Sequence, residues 1–337
     1  IFDGIVIVGV HKLNSYLRMT AYENTEVVRF MPKRMRSLLM WLLLLITMME
    51  GGAVRPLVQA QKTIFILAGQ SNMAGRGGVA NFSLPWDGVV PPECRQNPSI
   101  LRLSAGLDWV EAEEPLHKDI DVTKTNGIGP GMPFANRILE KKPEVGVVGL
   151  VPCAIGGTNI SEWERGRELY THMMRRAQAS VRDGGTISAL LWYQGESDTL
   201  NVADAQSYGS RLRKFFSHVR ADLQSPLLPI IQVALASGQG PYVETVREAQ
   251  LGMDLLNLRT VDAKGSPLEP DGLHLSTPAQ VHLGQMMADT FLHFLPAPIR
   301  AQVPSPSKAA APPPPRARRL PNFAAAFLTL FFFSFFL

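Results

Sequence analysis

The chain has 337 residues, 46% of them hydrophobic and 18% charged, a globular composition that excludes wholesale disorder. Two cysteines exclude a disulfide-built miniprotein and a four-cysteine zinc site. The net charge of +4 resides in the two ends: residues 61–300 carry 22 Lys and Arg against 25 Asp and Glu, so the middle offers no electrostatic footprint for nucleic acid.

Residues 1–30 lie upstream of Met31, the first methionine in the context of a start, and form an uncertain upstream segment. Lys33, Arg34 and Arg36 then precede an apolar run, residues 38–49, with Thr47 its one polar member. A basic stretch before 7–15 apolar residues is the secretory-signal pattern, and the run falls short of the about 20 residues that span a bilayer. Residues 31–60 are therefore expected to be a signal peptide and spacer, cleaved between Gly51 and Ala60; the competing reading is a buried helix of the domain. A secreted, extracellular or cell-wall protein follows from the first reading. Asn81-Phe82-Ser83 and Asn159-Ile160-Ser161 are glycosylation sequons, of which Asn81 is the expected acceptor.

Residues 61–300 read as one α/β domain. Residues 63–68, 145–152, 187–193 and 228–234 are continuous apolar runs, and 99–103 is a weaker one. Continuous rather than alternating runs point to strands buried on both faces of a parallel sheet. Helical patterns fall between them at 131–141, 168–182, 203–222, 242–256 and 278–294, the last with Thr277 as N-cap and Pro278 at its first position. This alternation predicts a three-layer α/β/α sandwich around a central parallel sheet. Cys94 and Cys153 either pair in an oxidising compartment or remain separate buried thiols.

Beyond the domain, residues 301–322 hold Pro304, Pro306, four consecutive prolines at 312–315 and Arg316, Arg318 and Arg319, the composition of an extended linker. Residues 323–337 are an apolar tail. Small residues, a spacer and an apolar end fit a GPI-anchor signal. A tail anchor and non-native read-through compete with it, so membrane attachment through the tail is one expectation for the mature protein. A monomer is expected.

In an open parallel sheet the active site lies beyond the carboxyl ends of the strands. Four polar or Gly-rich stretches occupy those places. They are Gly69-Gln70-Ser71-Asn72-Met73, Ala154-Ile155-Gly156-Gly157-Thr158-Asn159, Gln194-Gly195-Glu196-Ser197-Asp198 and Asp271-Gly272-Leu273-His274. Ser71, at a strand-to-helix turn, is a candidate nucleophile. A serine nucleophile needs a base, and the base an orienting group. His274, three residues after Asp271, supplies both from one short turn. His11, His172, His218, His282 and His293 fall in the upstream segment or in helical patterns, which leaves His117 as the rival base. Gly156 can bring a backbone N–H close to an oxyanion, and Gln194 can offer a side-chain amide. Each of these residues also has a plain structural reading: a tight turn for Gly156-Gly157, a solvated strand end for Gln194. Trp86, Trp163 and Tyr193 could form a sugar platform or belong to the core.

These four stretches, extended to Trp163, Trp192 and Ser276, resemble in order the four blocks of the SGNH hydrolases, which have a flavodoxin-like fold. More narrowly they resemble family 6 of the carbohydrate esterases, including its plant members and the sialate O-acetylesterase-like group. The resemblance covers about residues 61–296. It implies Ser71 as nucleophile, His274 as base, and Ser71 N–H, Gly156 N–H and Gln194 as the oxyanion hole. Asp271 is the acid by default, with Glu196 as the alternative, because Gln-Gly-Glu stands where the broader pattern has Gly-x-Asn. Gln70, Asn72, Gly157 and Thr158 fall on the substrate side of the same blocks. The implied reaction is hydrolysis of acetyl esters on carbohydrate through an acyl-enzyme, with no metal or cofactor; xylan, pectin and sialylated glycans all remain open as substrates. Other acyl or aryl esters, or glycan binding without catalysis, are the alternatives.

Overall fold

The computed structural model describes residues 61–79 and 85–295. The signal peptide, the Asn81 sequon, the linker and the apolar tail lie outside them.

The first strand, β1 (Lys62–Gly69), is almost wholly buried, as its unbroken apolar run requires. The chain then forms α1 (Ser71–Ala74), β2 (Ile100–Leu103), β3 (Trp109–Glu111), α2 (Gly131–Lys141) and β4 (Val147–Pro152). It continues with α3 (Glu168–Ser180), β5 (Thr186–Tyr193), α4 (Val202–Asp222), β6 (Ile230–Ala234), α5 (Val243–Leu251), β7 (Leu258–Asp262) and α6 (Thr277–Leu292). The seven strands lie in the order β3-β2-β4-β1-β5-β6-β7. The sheet is parallel except at one edge, where β3 runs antiparallel to β2. Helices flank it.

Side chains three apart on a strand face opposite ways, and β1 with β5 shows both layers. Phe65 meets Phe134 of α2 and Phe291 of α6 edge-on, each at 4.8 Å between ring centres. Trp192, which pairs across from Ala68, meets Phe215 of α4 at 4.4 Å and Trp163 at 5.2 Å on the other face. Trp163 and Tyr193 are therefore core residues, with no exposed surface to offer a sugar. Trp86 is partly buried against the same core.

Several expected boundaries shift. β7, at the far edge, reads Leu-Arg-Thr-Val-Asp with Val261 its one buried residue, so a search for continuous apolar runs passes over it. β3, three residues long, escapes for the same reason. α5 stops at Leu251 because the chain turns at Gly252. α6 begins one residue early: Ser276 is the N-cap, and Thr277 is already helical. Cys94 and Cys153 are separate buried thiols, and burial pushes Cys153 up to about 11.

The topology decides where a site can form. β4 and β2 lie on one side of β1, and β5, β6 and β7 on the other. β1 is thus the switch point, where parallel sheets open a crevice. Its end is in register with both neighbours, Leu67 with Pro152 and Gly69 with Tyr193. The loops after β4 and β5 consequently flank the loop that carries Ser71.

Candidate active site

Gly69 ends β1 with φ of +128°, and an added Cβ would stand 2.0 Å from Tyr193 O. Only glycine fits there. This tight exit sets Ser71 at the first position of α1, 5% exposed. Its backbone N–H has no acceptor among the described residues.

The base arrives 203 residues later. His274 sits in a closed turn: Glu269 N–H donates to His274 O at 2.7 Å and Ser276 N–H to Pro267 O at 3.0 Å. Asp271 stays within that turn, and its Oδ1 accepts Leu273 N–H at 2.8 Å and His274 N–H at 2.9 Å. Asp271 Oδ2 lies 2.6 Å from His274 Nδ1, and His274 Nε2 lies 2.8 Å from Ser71 Oγ. With Nδ1–H donating to the carboxylate, Nε2 is left to accept from the hydroxyl.

The electrostatics agree. Burial lowers the pKa of His274, partly opposed by Asp271, so the ring is neutral and able to take a proton near neutral pH. Burial alone would raise Asp271, but the hydrogen bonds from His274 and Leu273 outweigh it, and the carboxyl sits below its ordinary range.

Glu196, the alternative acid, is fully buried and accepts Asn72 Nδ2–H at 2.8 Å. Burial raises it to about 7. Asn72 in turn accepts Leu275 N–H at 2.9 Å through Oδ1, and its carbonyl accepts Gln280 Nε2–H at 3.2 Å. Glu196 thus braces the serine loop against the histidine loop, while Asp271 is the carboxylate on the ring.

Three other expected site residues are turned away from the reacting groups. Gln194 is buried, and its amide donates to Thr158 O at 2.8 Å, Asp198 Oδ2 at 2.6 Å and Gln70 Oε1 at 3.2 Å, so it ties β5 to the loop after β4. Gln70 is buried and also accepts Gly195 N–H at 3.2 Å. Thr158 is spent on Ile155 O and Trp163 Nε1. Gly156 does face the serine, but its N–H donates to Asp121 Oδ2 at 3.1 Å. Asn159, of the second sequon, is held in a capping box with Glu162. The rival base, His117, is fully buried, and burial with the nearby Arg76 and Arg176 pushes it down to about 3.

A cavity of about 240 Å³ opens over Ser71 and His274, lined by Arg76, Lys124, Gly156, Gly157, Gln239 and Leu273. Arg76, Asp121, Lys124 and Gln239 had no place in the sequence reading. Arg76 had a faint signal, a cation set inside the turn Gly75-Arg76-Gly77-Gly78 just after the serine block. Among the described residues no group of three or more His, Cys, Asp or Glu is arranged to hold a metal ion.

The sequence pattern of one protein family matches residues 61–293; that family is described as carbohydrate esterase, sialic acid-specific acetylesterase. The chain belongs to this family. It is 54% identical over 257 residues to the probable carbohydrate esterase At4g34215 of Arabidopsis thaliana, covering 72% of this chain and 98% of that protein. The X-ray structure of the Arabidopsis protein superposes with a TM-score of 0.67 at 56% identity, over 69% of this chain and 98% of the other. The structure of NanS aligns at 18% identity with a TM-score of 0.58, over 70% of this chain and 98% of that one, a likeness of fold. The seven-stranded, mostly parallel sheet flanked by helices is thus the fold of this esterase family.

Proposed function

We propose that the chain is a serine esterase that hydrolyses O-acetyl esters of carbohydrate through an acyl-enzyme. The observation that carries this reading is the continuous relay from Asp271 Oδ2 through both nitrogens of His274 to Ser71 Oγ. Ser71 Oγ attacks the acetyl carbonyl while His274 Nε2 takes its proton. The tetrahedral intermediate then breaks its bond to the sugar oxygen, and His274 returns the proton to that oxygen. Water, activated by the same ring, attacks the acetyl-serine; acetate leaves and Ser71 is restored.

The cavity supports a short acyl group. Its volume falls below the roughly 300–1,000 Å³ of pockets that enclose drug-sized ligands. Leu273 is the one large apolar side chain in its lining, beside Ser71, Arg76, Lys124, Gln239 and His274. A long fatty acyl chain exceeds that volume, whereas an acetyl group fits within it. The name of the Arabidopsis relative and the description of the family point the same way.

Acetate release should be measured from acetylated xylan, acetylated pectin, an O-acetylated sialylated glycan and a simple aryl acetate. Turnover of one carbohydrate ester well above the aryl ester supports the reading. Turnover of the aryl ester alone replaces it with a different ester specificity, and no turnover of any ester by folded protein leaves glycan binding without catalysis.

A further inference from the structure

An acyl transfer through a tetrahedral intermediate needs donors aimed at the oxygen on which charge develops. Two of the donors named by the sequence blocks are committed elsewhere. The Gly156 N–H is taken by Asp121, and the Gln194 amide lies buried among Thr158, Asp198 and Gln70. Ser71 N–H remains, and one donor is a meagre oxyanion hole.

The same space holds a guanidinium. Arg76 lines the cavity with Ser71, Gly156 and His274, although it is only 2% exposed. A Cβ built on Gly156 would stand 2.7 Å from Arg76 Nη2, 3.1 Å from Asp121 Oδ2 and 3.4 Å from Ser71 Cβ. Those three atoms therefore close on one small volume beside the serine. The missing side chain at Gly156 is what gives the guanidinium room.

The guanidinium is firmly held. Nη1 donates to Gly75 O at 2.8 Å and to Asn126 Oδ1 at 2.9 Å, and Nη2 donates to Asp121 Oδ2. Asn126 is itself fixed, donating to Asp121 O and Lys124 O at 3.0 Å each. A guanidinium has five N–H donors. Among the described residues these contacts take three, and one hydrogen of Nη2 has no acceptor.

We propose that Arg76 is the second oxyanion donor: Nη2–H, aligned by Asp121 and Asn126, binds the carbonyl oxygen of the acyl group as Ser71 attacks. This role presupposes that Ser71 is the nucleophile. A planar donor locked before substrate arrives needs no reorganisation during the reaction, and in a site shielded from water its charge counts for more. Asp121 is then a positioning residue, fixing the guanidinium and drawing the Gly156 N–H aside.

The charge of Arg76 also opposes protonation of His274, while Asp271 and Glu269 favour it. A donor to the developing oxyanion acts in the transition state, so the readout that separates it from a merely structural arginine is a fall in kcat at unchanged KM. Arg76→Ala combined with Asp121→Asn removes both charges, strands neither and keeps an oxygen to hold the Gly156 N–H. The expected result is a kcat lower by about 100- to 1,000-fold, the effect of one oxyanion donor in a well-studied enzyme. KM should change little, because the donor binds charge that develops only in the transition state. Arg76→Lys keeps a cation opposite Asp121 and serves where the double variant does not fold; it should lower kcat at least tenfold with the acid limb of the pH profile in place. Unchanged kcat in either folded variant overturns the assignment. Ser71→Ala runs alongside in the same assay: retained activity there overturns the serine-esterase reading itself, whereas an inactive Ser71→Ala with fully active Arg76 variants overturns only the donor role.

Discussion

Asn72 Oδ1 accepts the backbone N–H of Leu275 at 2.9 Å, joining the residue after the serine to the residue after the histidine across 203 positions of sequence. The same side chain donates to Glu196. Asn72, fully buried, is therefore a clasp between the loop that carries Ser71 and the loop that carries His274.

Asn72→Ala should loosen that clasp. Loss of its buried hydrogen bonds should destabilise the fold by roughly 1–3 kcal/mol. A displacement of about 1 Å between the reacting groups can cost on the order of 100-fold in rate. Thermal melts and kcat on an aryl acetate measure the two effects, and both are expected together.

Ser71→Ala should abolish turnover in protein that still folds, since Ser71 Oγ contributes one contact, to His274. The expected loss in kcat is about 10⁶, the value for a nucleophile removed from a well-studied triad. Circular dichroism and a melt within a few degrees of the unaltered protein confirm that the loss is chemical.

The two carboxylates should separate sharply. Asp271→Asn leaves the imidazole without its anionic partner, and kcat should fall by about 10⁴. Glu196→Gln keeps an oxygen to accept from Asn72, so kcat should fall by less than about tenfold. The reverse ranking at saturating substrate would make Glu196 the acid.

The dependence of activity on pH should have an acid limb below the usual histidine range, because burial lowers His274. kcat/KM falls as pH drops through that value and the ring becomes charged. Kinetics between about pH 4 and 8 define the limb.

Stability should run the other way with pH. Burial raises both Glu196 and Asp198 to about 7 in the folded protein, while the unfolded chain titrates them near their ordinary values. The folded state therefore binds their protons more tightly, and this contribution is full below the unfolded values and lost as pH rises through about 7. Melting temperatures at several pH values should show a decline across that window. The decline should shrink in Glu196→Gln.

The sheet and the relay were readable because each left a local mark. Buried parallel strands write continuous apolar runs, and Asp271 with His274 needs only a four-residue turn. Edge strands left none: β7 has one buried residue, Val261, and β3 is three residues long. Residue type marked the blocks correctly but not the direction of their side chains. Gln70, Thr158 and Gln194 carry polar groups at the strand ends, yet each satisfies another buried polar group instead of facing the cavity. Arg76 and Asp121 stayed hidden because their pairing spans an irregular stretch with no periodicity.

Ser71 follows β1 directly, whereas Asp271 and His274 lie in the turn before α6. All seven strands are complete by Asp262, yet Asp271, His274 and the α6 face that carries Phe291 onto Phe65 are still to come. A chain ending between Asp262 and Asp271 would hold all seven described strands but neither Asp271 nor His274, and it is expected to release no acetate from an aryl acetate. Under the proposed function, ester hydrolysis would therefore report that synthesis has passed His274.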